Sequence, residues 1–353
     1  MQVKAIQSQT GSAAQLGNWL FTEPFSAKGS FDEQVRTALA AMKMAASVSG
    51  FDPAGFVKCD VIVDDLAMAD TVYALYREVV GEELPAFRII QEAEMRRGCR
   101  FTVELTAVKD TETKRFFFEN ETLPCAVKAG DFVFTSQMLP EKEGSLDEQA
   151  AAAIGRMLRA AALAGAGAEN FVKNMIFLAD CGNFADFNKT YASTFMQVPQ
   201  PPARSLHGVP AIRDGRAVAL EGIAYLGQAK KTISVGDNSR PLPFCQAMCA
   251  GEFLFVSGQV GLMAANGGYH LTPGKQIPRM LEVLDAIAAA GGVAPSAYIK
   301  VTTFARKLST EKKYRKLFAE RYPDTAAVLS FFAVTGLAHP AILIESDILG
   351  YLG

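Results

Sequence analysis

The sequence predicts an α+β protein of three tandem units, each a mixed β-sheet with two helices on one face, closed into an intramolecular pseudo-trimer. Three landmarks, recurring in one order about 120 residues apart, carry that prediction. The first is a glycine-led apolar strand: Gly17-Asn18-Trp19-Leu20-Phe21-Thr22-Glu23, Gly130-Asp131-Phe132-Val133-Phe134-Thr135-Ser136 and Gly251-Glu252-Phe253-Leu254-Phe255-Val256-Ser257. The second is Phe56-Val57-Lys58, repeated as Phe171-Val172-Lys173 and Tyr298-Ile299-Lys300. The third is Val103-Glu104-Leu105, repeated as Leu220-Glu221-Gly222 and Ile344-Glu345-Ser346. The units are assigned to residues 1–112, 113–230 and 231–353, with polar joints at 110–114 and 229–238.

Within each unit the order reads strand, strand, helix, strand, helix, strand. The first helix carries one apolar stripe at helical spacing: Val35, Leu39, Met42 and Ala46; then Ile154, Met157, Leu158 and Ala161; then Ile277, Met280, Leu281 and Leu284. Capping boxes start it in the first two units, Ser30 with Glu33 and Ser145 with Glu148, and Thr272-Pro273 does so in the third. In unit two a second helix is expected around Phe187–Tyr191, then a loop Pro201-Pro202-Ala203-Arg204, then a closing strand Ala217–Ala224. Two helices cover only one face of such a sheet, so the three open faces are expected to meet around a pseudo-threefold axis.

Composition narrows the function. Of 353 residues half are hydrophobic and a fifth charged, and the net charge is −2, which offers no general attraction to nucleic acid or an anionic membrane. The cluster Lys312, Lys313, Arg315 and Lys316 reads as a solvated helix face. Six cysteines without a C-x-x-C pair read as free thiols of a reducing compartment, and three scattered histidines give no metal site. The start Met1-Gln2-Val3-Lys4-Ala5 has no apolar leader, and the helix near Ala150–Ala164 is interrupted by Arg156 and Arg159 and too short to span a bilayer. A cytoplasmic protein without metal or cofactor is expected.

The motifs Phe134-Thr135-Ser136-Gln137, Asp186-Phe187-Asn188-x-x-Tyr191, Pro202-Ala203-Arg204 and Leu220-Glu221-Gly222-Ile223-Ala224 resemble those of the Rid family (YjgF-like, reactive-intermediate deaminases), as do Pro243-Phe244-Cys245-Gln246 and Val256-Ser257-Gly258-Gln259. The resemblance spans the chain as three divergent copies, strongest in unit two and weakest in unit one. It implies chorismate-mutase-like units, ligand clefts between them, and hydrolysis of small 2-imino or 2-enamino acids to 2-keto acids and ammonia. No cofactor is implied. Arg204 matches the arginine that holds the substrate carboxylate. Asn188 and Ser257 match catalytic positions, and Gly258, Ser136, Tyr191 and Phe244 match cleft positions, with a packing role equally open to Tyr191 and the family's tyrosine hydroxyl lost at Phe244.

Departures bear on activity. The family's water-orienting glutamate lies two residues before the Glu221 match, and that position is read as Ala219, Thr102 and Leu343. Glu104, Glu221 and Glu345 are read as structural. Ala326-Ala327-Val328 stands for Pro-Ala-Arg in unit three, and in Pro85-Ala86-Phe87-Arg88 the arginine Arg88 is either a retained anchor or an unrelated surface charge. The expectations are an imine deaminase in one cleft around Arg204 or, alternatively, a pseudoenzyme that binds small carboxylates. A chorismatase-like enzyme and an endoribonuclease are weaker alternatives. The partner is a small carboxylate, with neither nucleic acid nor membrane. The chain is expected to act as a monomeric fused pseudo-trimer, a higher homo-oligomer being the alternative.

Overall fold

Apolar alternation broken by turn glycines builds each unit as a meander of strands followed by two helix–strand crossovers. The computed structural model describes residues 2–8, 11–109, 113–236, 241–264 and 267–353. The predicted joint residues 110–112 and 237–238, and with them the boundary at 112, lie outside the described residues. Unit one contains β1 (Lys4–Ser8), β2 (Gly11–Leu16), β3 (Trp19–Thr22), β4 (Phe25–Ser26), α1 (Phe31–Val48), β5 (Phe56–Val63), α2 (Ala69–Val79), β6 (Ala86–Gln91) and β7 (Phe101–Val108). Unit two contains β8 (Lys114–Phe116), β9 (Ala126–Ala129), β10 (Phe132–Thr135), α3 (Leu146–Leu163), β11 (Phe171–Leu178), α4 (Phe184–Phe195), β12 (Ala203–Gly208) and β13 (Val218–Tyr225). Unit three contains β14 (Lys230–Ile233), β15 (Ala247–Ala250), β16 (Phe253–Val256), β17 (Gln259–Val260), α5 (Pro273–Ala290), β18 (Tyr298–Ala305), α6 (Glu311–Arg321), β19 (Val328–Ala333) and β20 (Ile344–Tyr351).

The three mixed sheets share one topology: β1-β2-β3-β7-β5-β6, its counterpart β8-β9-β10-β13-β11-β12, and β14-β15-β16-β20-β18-β19. Gly17, Gly130 and Gly251 turn the hairpin into β3, β10 and β16 at φ of 54°, 55° and 55°, the left-handed region that glycine enters without strain. Capping boxes close on Ser30 and Ser145, while α5 begins with Pro273 at its first turn. The predicted stripes pack onto the sheets and are buried, except Leu158, which is half-buried.

Two expectations change. First, β6, β12 and β19 are parallel edge strands beside β5, β11 and β18, so Arg204 lies on a strand rather than in a loop. The Pro-Pro pair before Ala203 and the polar run Arg204-Ser205-x-His207 mask a strand whose outer edge makes few sheet bonds. Second, pairing fixes which residues correspond. Trp19, Phe132 and Phe253 face Val108, Tyr225 and Tyr351. Counting back along these strands, Glu104 and Glu221 correspond to Asp347, whereas Glu345 corresponds to Thr102 and Ala219. The match of Glu345 to Glu221 is therefore two residues out. A two-residue slip keeps every side chain on its face, so the apolar pattern could not reveal it.

The inward faces meet on the axis. Trp19, Phe132 and Phe253 form a ring triangle with centroid separations of 5.8, 5.5 and 5.4 Å. A register shift at Val57, Val172 and Ile299 leaves these residues facing the axis beside the following lysines. Each lysine crosses to the next unit. Lys58 pairs with Glu221, Lys173 with Asp347 at 2.8 Å and Lys300 with Glu104. Arg88 joins this layer, 3.1 Å from Glu221 and 3.3 Å from Asp60. It is buried and internal, so it is neither a cleft anchor nor a surface charge. Burial opposes its charge, but Asp60 and Glu221 outweigh that and hold it above its ordinary range.

Removing one partner of such a buried pair leaves an uncompensated charge. Lys173→Met is expected to lower unfolding free energy by roughly 3–5 kcal/mol in urea, with most of the loss recovered by adding Asp347→Leu. A single-variant loss below about 1 kcal/mol, the value of an exposed pair, would show that the layer is hydrated.

Candidate functional site

The cleft between units two and three gathers most of the polar residues singled out in the sequence. Arg204, on edge strand β12, points toward α4 and is 5% exposed. Its guanidinium lies 4.0 Å from the ring centre of Phe244, 4.9 Å from Tyr191 and 5.6 Å from Phe184. Its Nη1 donates to Asn188 Oδ1 at 2.6 Å. Among the described residues no carboxylate oxygen lies within 4.0 Å of it. Burial without an ion-pair partner pushes its pKa down to about 10, so it stays charged at neutral pH. A buried cation lacking a counter-ion is a ready receptor for an anion, and a planar fork suits a carboxylate.

Facing it from unit three is Glu345, whose charge also acts on Arg204. With the corrected register, Glu345 rather than Leu343 occupies the position of the family's water-orienting glutamate; Ala219 and Thr102 remain its counterparts in the other units. Its Oε1 lies 3.1 Å from Nε2 of the fully buried His207, on β12 three residues beyond Arg204. The imidazole stacks on Phe304 with centroids 3.4 Å apart, and its Nδ1 has no hydrogen-bond partner. A buried unpaired acceptor costs less than a buried unpaired N–H beside an acceptor that needs it, which assigns the proton to Nε2, donating to Glu345. Gly258 makes the space: a Cβ there would collide with the Glu345 carboxylate.

The remaining predicted residues are present but differently engaged. Ser257 accepts from the Arg204 amide at 2.8 Å and donates to the Cys245 carbonyl at 2.5 Å, so its hydroxyl is a strut between units rather than a free catalytic group. The Gly258 amide donates to the Arg204 carbonyl at 3.0 Å and is not free for a ligand. Tyr191 is buried, and its hydroxyl accepts from Asn174 at 2.8 Å; it serves as one wall of the arginine box. Phe244 is another wall. Ser136 repeats the Ser257 arrangement in the cleft between units one and two, bonding the Phe87 amide at 3.0 Å and the Pro124 carbonyl at 2.6 Å.

The other clefts differ residue by residue. Register equates Arg204 with Phe87 and with Leu329, one residue beyond the predicted Val328. Between units one and two, Tyr73 stands in for Asn188 as the fifth residue of its helix, Gln137 for Gly258 and Ala219 for Glu345. Gln137 thus fills the room that a glutamate on β13 would need. A cavity of about 220 Å³ persists there, lined by Tyr73, Phe87, Leu123 and Gln137 among others. Among the described residues, the cleft between units two and three alone has an arginine at this edge-strand position and a glutamate at the facing last-strand position. No three metal-ligating side chains converge among the described residues, and no helix there is long and apolar enough to cross a membrane.

A family model described as endoribonuclease L-PSP matches residues 122–226 and 238–351. The chain is 34% identical over 105 residues to "Protein MMF1, mitochondrial" of Saccharomyces cerevisiae, covering 28% of this chain and 71% of that protein. It is 28% identical over 126 residues to a RutC family protein of Pyrococcus horikoshii, covering 35% of this chain and 98% of the relative. The crystal structure of a chorismatase superposes with a TM-score of 0.60 at 12% identity, covering 84% of this chain and 93% of the other, a likeness of fold.

Gly258 and Glu345 should be energetically coupled. Gly258→Ala is expected to cost roughly 1–3 kcal/mol in chemical denaturation, as overpacking does. In a Glu345→Ala background the same change should cost much less. Equal costs in both backgrounds would mean that the carboxylate does not occupy the space beside Gly258.

Proposed function

Because the chain belongs to the endoribonuclease L-PSP family, we propose that its cleft between units two and three binds small 2-imino or 2-enamino acids and hydrolyses them to 2-keto acids and ammonia. One observation carries this reading: a buried, unpaired Arg204 opposite Glu345. Arg204 takes the substrate carboxylate, supplying the missing counter-charge, while Asn188 and the rings of Phe184, Tyr191 and Phe244 keep the guanidinium in one orientation. An imine carbon is already electrophilic, so the protein need only hold it and deliver water. Glu345 accepts a proton from that water as its oxygen bonds to the imine carbon, and hands the proton to the imine nitrogen. Glu345 then carries the carbinolamine hydroxyl proton to the same nitrogen as the C–N bond breaks, which releases ammonia, leaves the keto acid and restores the carboxylate. His207 is a positioning residue, fixing one carboxylate oxygen and leaving the other for water.

A second reading takes a larger, cyclic carboxylate as substrate, as a chorismatase does. Glu345, an acidic residue in the last strand where the sequence reading placed Leu343, favours it. RNA is not proposed, because the Arg204 guanidinium is enclosed by rings where a polymer backbone has no approach.

The test generates 2-iminopropanoate in situ with an amino-acid oxidase and follows its decay, with chorismate assayed in parallel. Wild type is expected to accelerate imine decay, and Glu345→Gln to lose roughly 10²–10⁴-fold in rate. Pyruvate should still raise the melting temperature of Glu345→Gln but not that of Arg204→Ala. Affinity for pyruvate should fall as pH rises through about 10, where Arg204 loses its charge. A pyruvate shift without turnover in wild type would leave a carboxylate-binding protein, and turnover of chorismate alone would favour the second reading.

A further inference from the structure

The cleft between units one and two has lost the charged pair of its neighbour and kept its room. Phe87 stands at the arginine position and Ala219 at the glutamate position, yet a cavity of about 220 Å³ remains. Much of its wall is apolar, with Leu66, Ala69, Phe87, Ile89, Leu123 and Met138. The two arginines that line it already have counter-ions, Arg156 in Glu121 and Arg213 in Asp70 at 2.9 Å. The Ser136 hydroxyl is used in both directions, accepting from the Phe87 amide and donating to the Pro124 carbonyl. Cys125 donates its thiol to the Phe116 carbonyl at 3.3 Å, and burial pushes its pKa up to about 11, so no thiolate is offered.

Two lining groups keep something to give. Gln137 accepts from the Ile89 amide through Oε1 at 3.3 Å, whereas its Nε2 makes no hydrogen bond within the described residues and retains accessible surface. Tyr73 is half-buried, meets the Phe87 ring edge to face at 5.2 Å, and lies beside the Arg213 guanidinium, which can only donate. Burial pushes its pKa up to about 12, so the O–H is intact at neutral pH and is left to donate elsewhere. The cavity thus pairs an apolar body with two donors and no unpaired charge, the composition of a small-molecule site.

We propose that this second cleft is a binding site for a small uncharged carbonyl compound with an apolar or aromatic body, held without being hydrolysed. The carbonyl oxygen has two lone pairs and accepts from Gln137 Nε2 and the Tyr73 hydroxyl, while the body packs on Phe87, Leu66 and Leu123. A carboxylate is disfavoured, because each lining cation is already paired and a buried anion would lack a counter-charge. Ala219 at the glutamate position leaves no base there, so the ligand is bound and released unchanged. The volume is ample, since an apolar protein cavity of about 150 Å³ takes up benzene. This site shares no residue with the Arg204 cleft and stands or falls apart from it.

The full chain is titrated with acetophenone, ethylbenzene and benzoate, and binding is followed by saturation-transfer NMR on the probe. The Arg204→Ala variant is used for all three, so that the neighbouring cleft offers no anchor to benzoate. Acetophenone is expected to saturate, ethylbenzene, which lacks the oxygen, to bind about tenfold more weakly, and benzoate not to saturate. Tyr73→Phe, which removes only the hydroxyl, should weaken acetophenone about fivefold. Leu66→Trp, which fills the cavity from a half-buried position, should abolish binding while circular dichroism shows the fold retained. Acetophenone binding that is lost in Arg204→Ala but present in wild type would place the probe in the other cleft and overturn the proposal. No saturation in either protein, benzoate binding as tightly as acetophenone, or Tyr73→Phe binding as wild type does would each overturn it as well. If Leu66→Trp does not fold, Tyr73→Phe and the three probes decide.

Discussion

The structure depends on three lysines that each find their charge partner in another unit. A buried ammonium is tolerated only where a carboxylate meets it, and Lys58, Lys173 and Lys300 meet theirs only when the three sheets stand in one order around the axis. The aromatic triangle supplies apolar burial but little discrimination, since one ring packs on another in many orientations. The charged layer supplies the discrimination, because a sheet rotated or slid out of place would strand a cation. The clefts follow from this placement. Edge strands β6, β12 and β19 are carried to their neighbours, and the Arg204 amide reaches Ser257 because the sheets behind them are already locked.

Much of the fold was legible. The glycine-led strands, capping boxes and helical stripes are local signals, and local signals survive divergence among copies. The Phe-Val-Lys landmark was legible as a repeat but not as a device, because the bulge that turns Val57 and Lys58 to one side leaves no trace in residue type. The edge strands were missed because half of each one's backbone pairing is absent, so proline and polar residues are tolerated there.

In the candidate site Arg204 was legible in the sequence and Glu345 was not. Arg204 announces itself through Pro-Ala-Arg. Matching like with like, glutamate with glutamate, puts Glu345 in the structural layer. The usable signal was the aromatic residue ending the last strand, Tyr225 and Tyr351, which face equivalent rings of β10 and β16. Counting back from it gives Asp347 opposite Lys173 and frees Glu345 for the cleft. His207 carried no signal, because its role comes from a glutamate 138 residues away and from the ring of Phe304. Arg88 looked like a displaced anchor because a strand turns neighbouring residues to opposite faces. One step along β6 exchanges the cleft for the axis.

The lysine relay closes on itself, and its closing bond joins residues 196 positions apart, Glu104 of the first unit and Lys300 of the third. As the chain leaves the ribosome, the first sheet is complete long before the lysine that will neutralise Glu104 has been made. Until then its inward face, with Trp19 and Phe21, has no permanent cover. The protein therefore cannot mature unit by unit from its amino terminus. Its first third keeps an open inward face until the last third has been made and completes the circle.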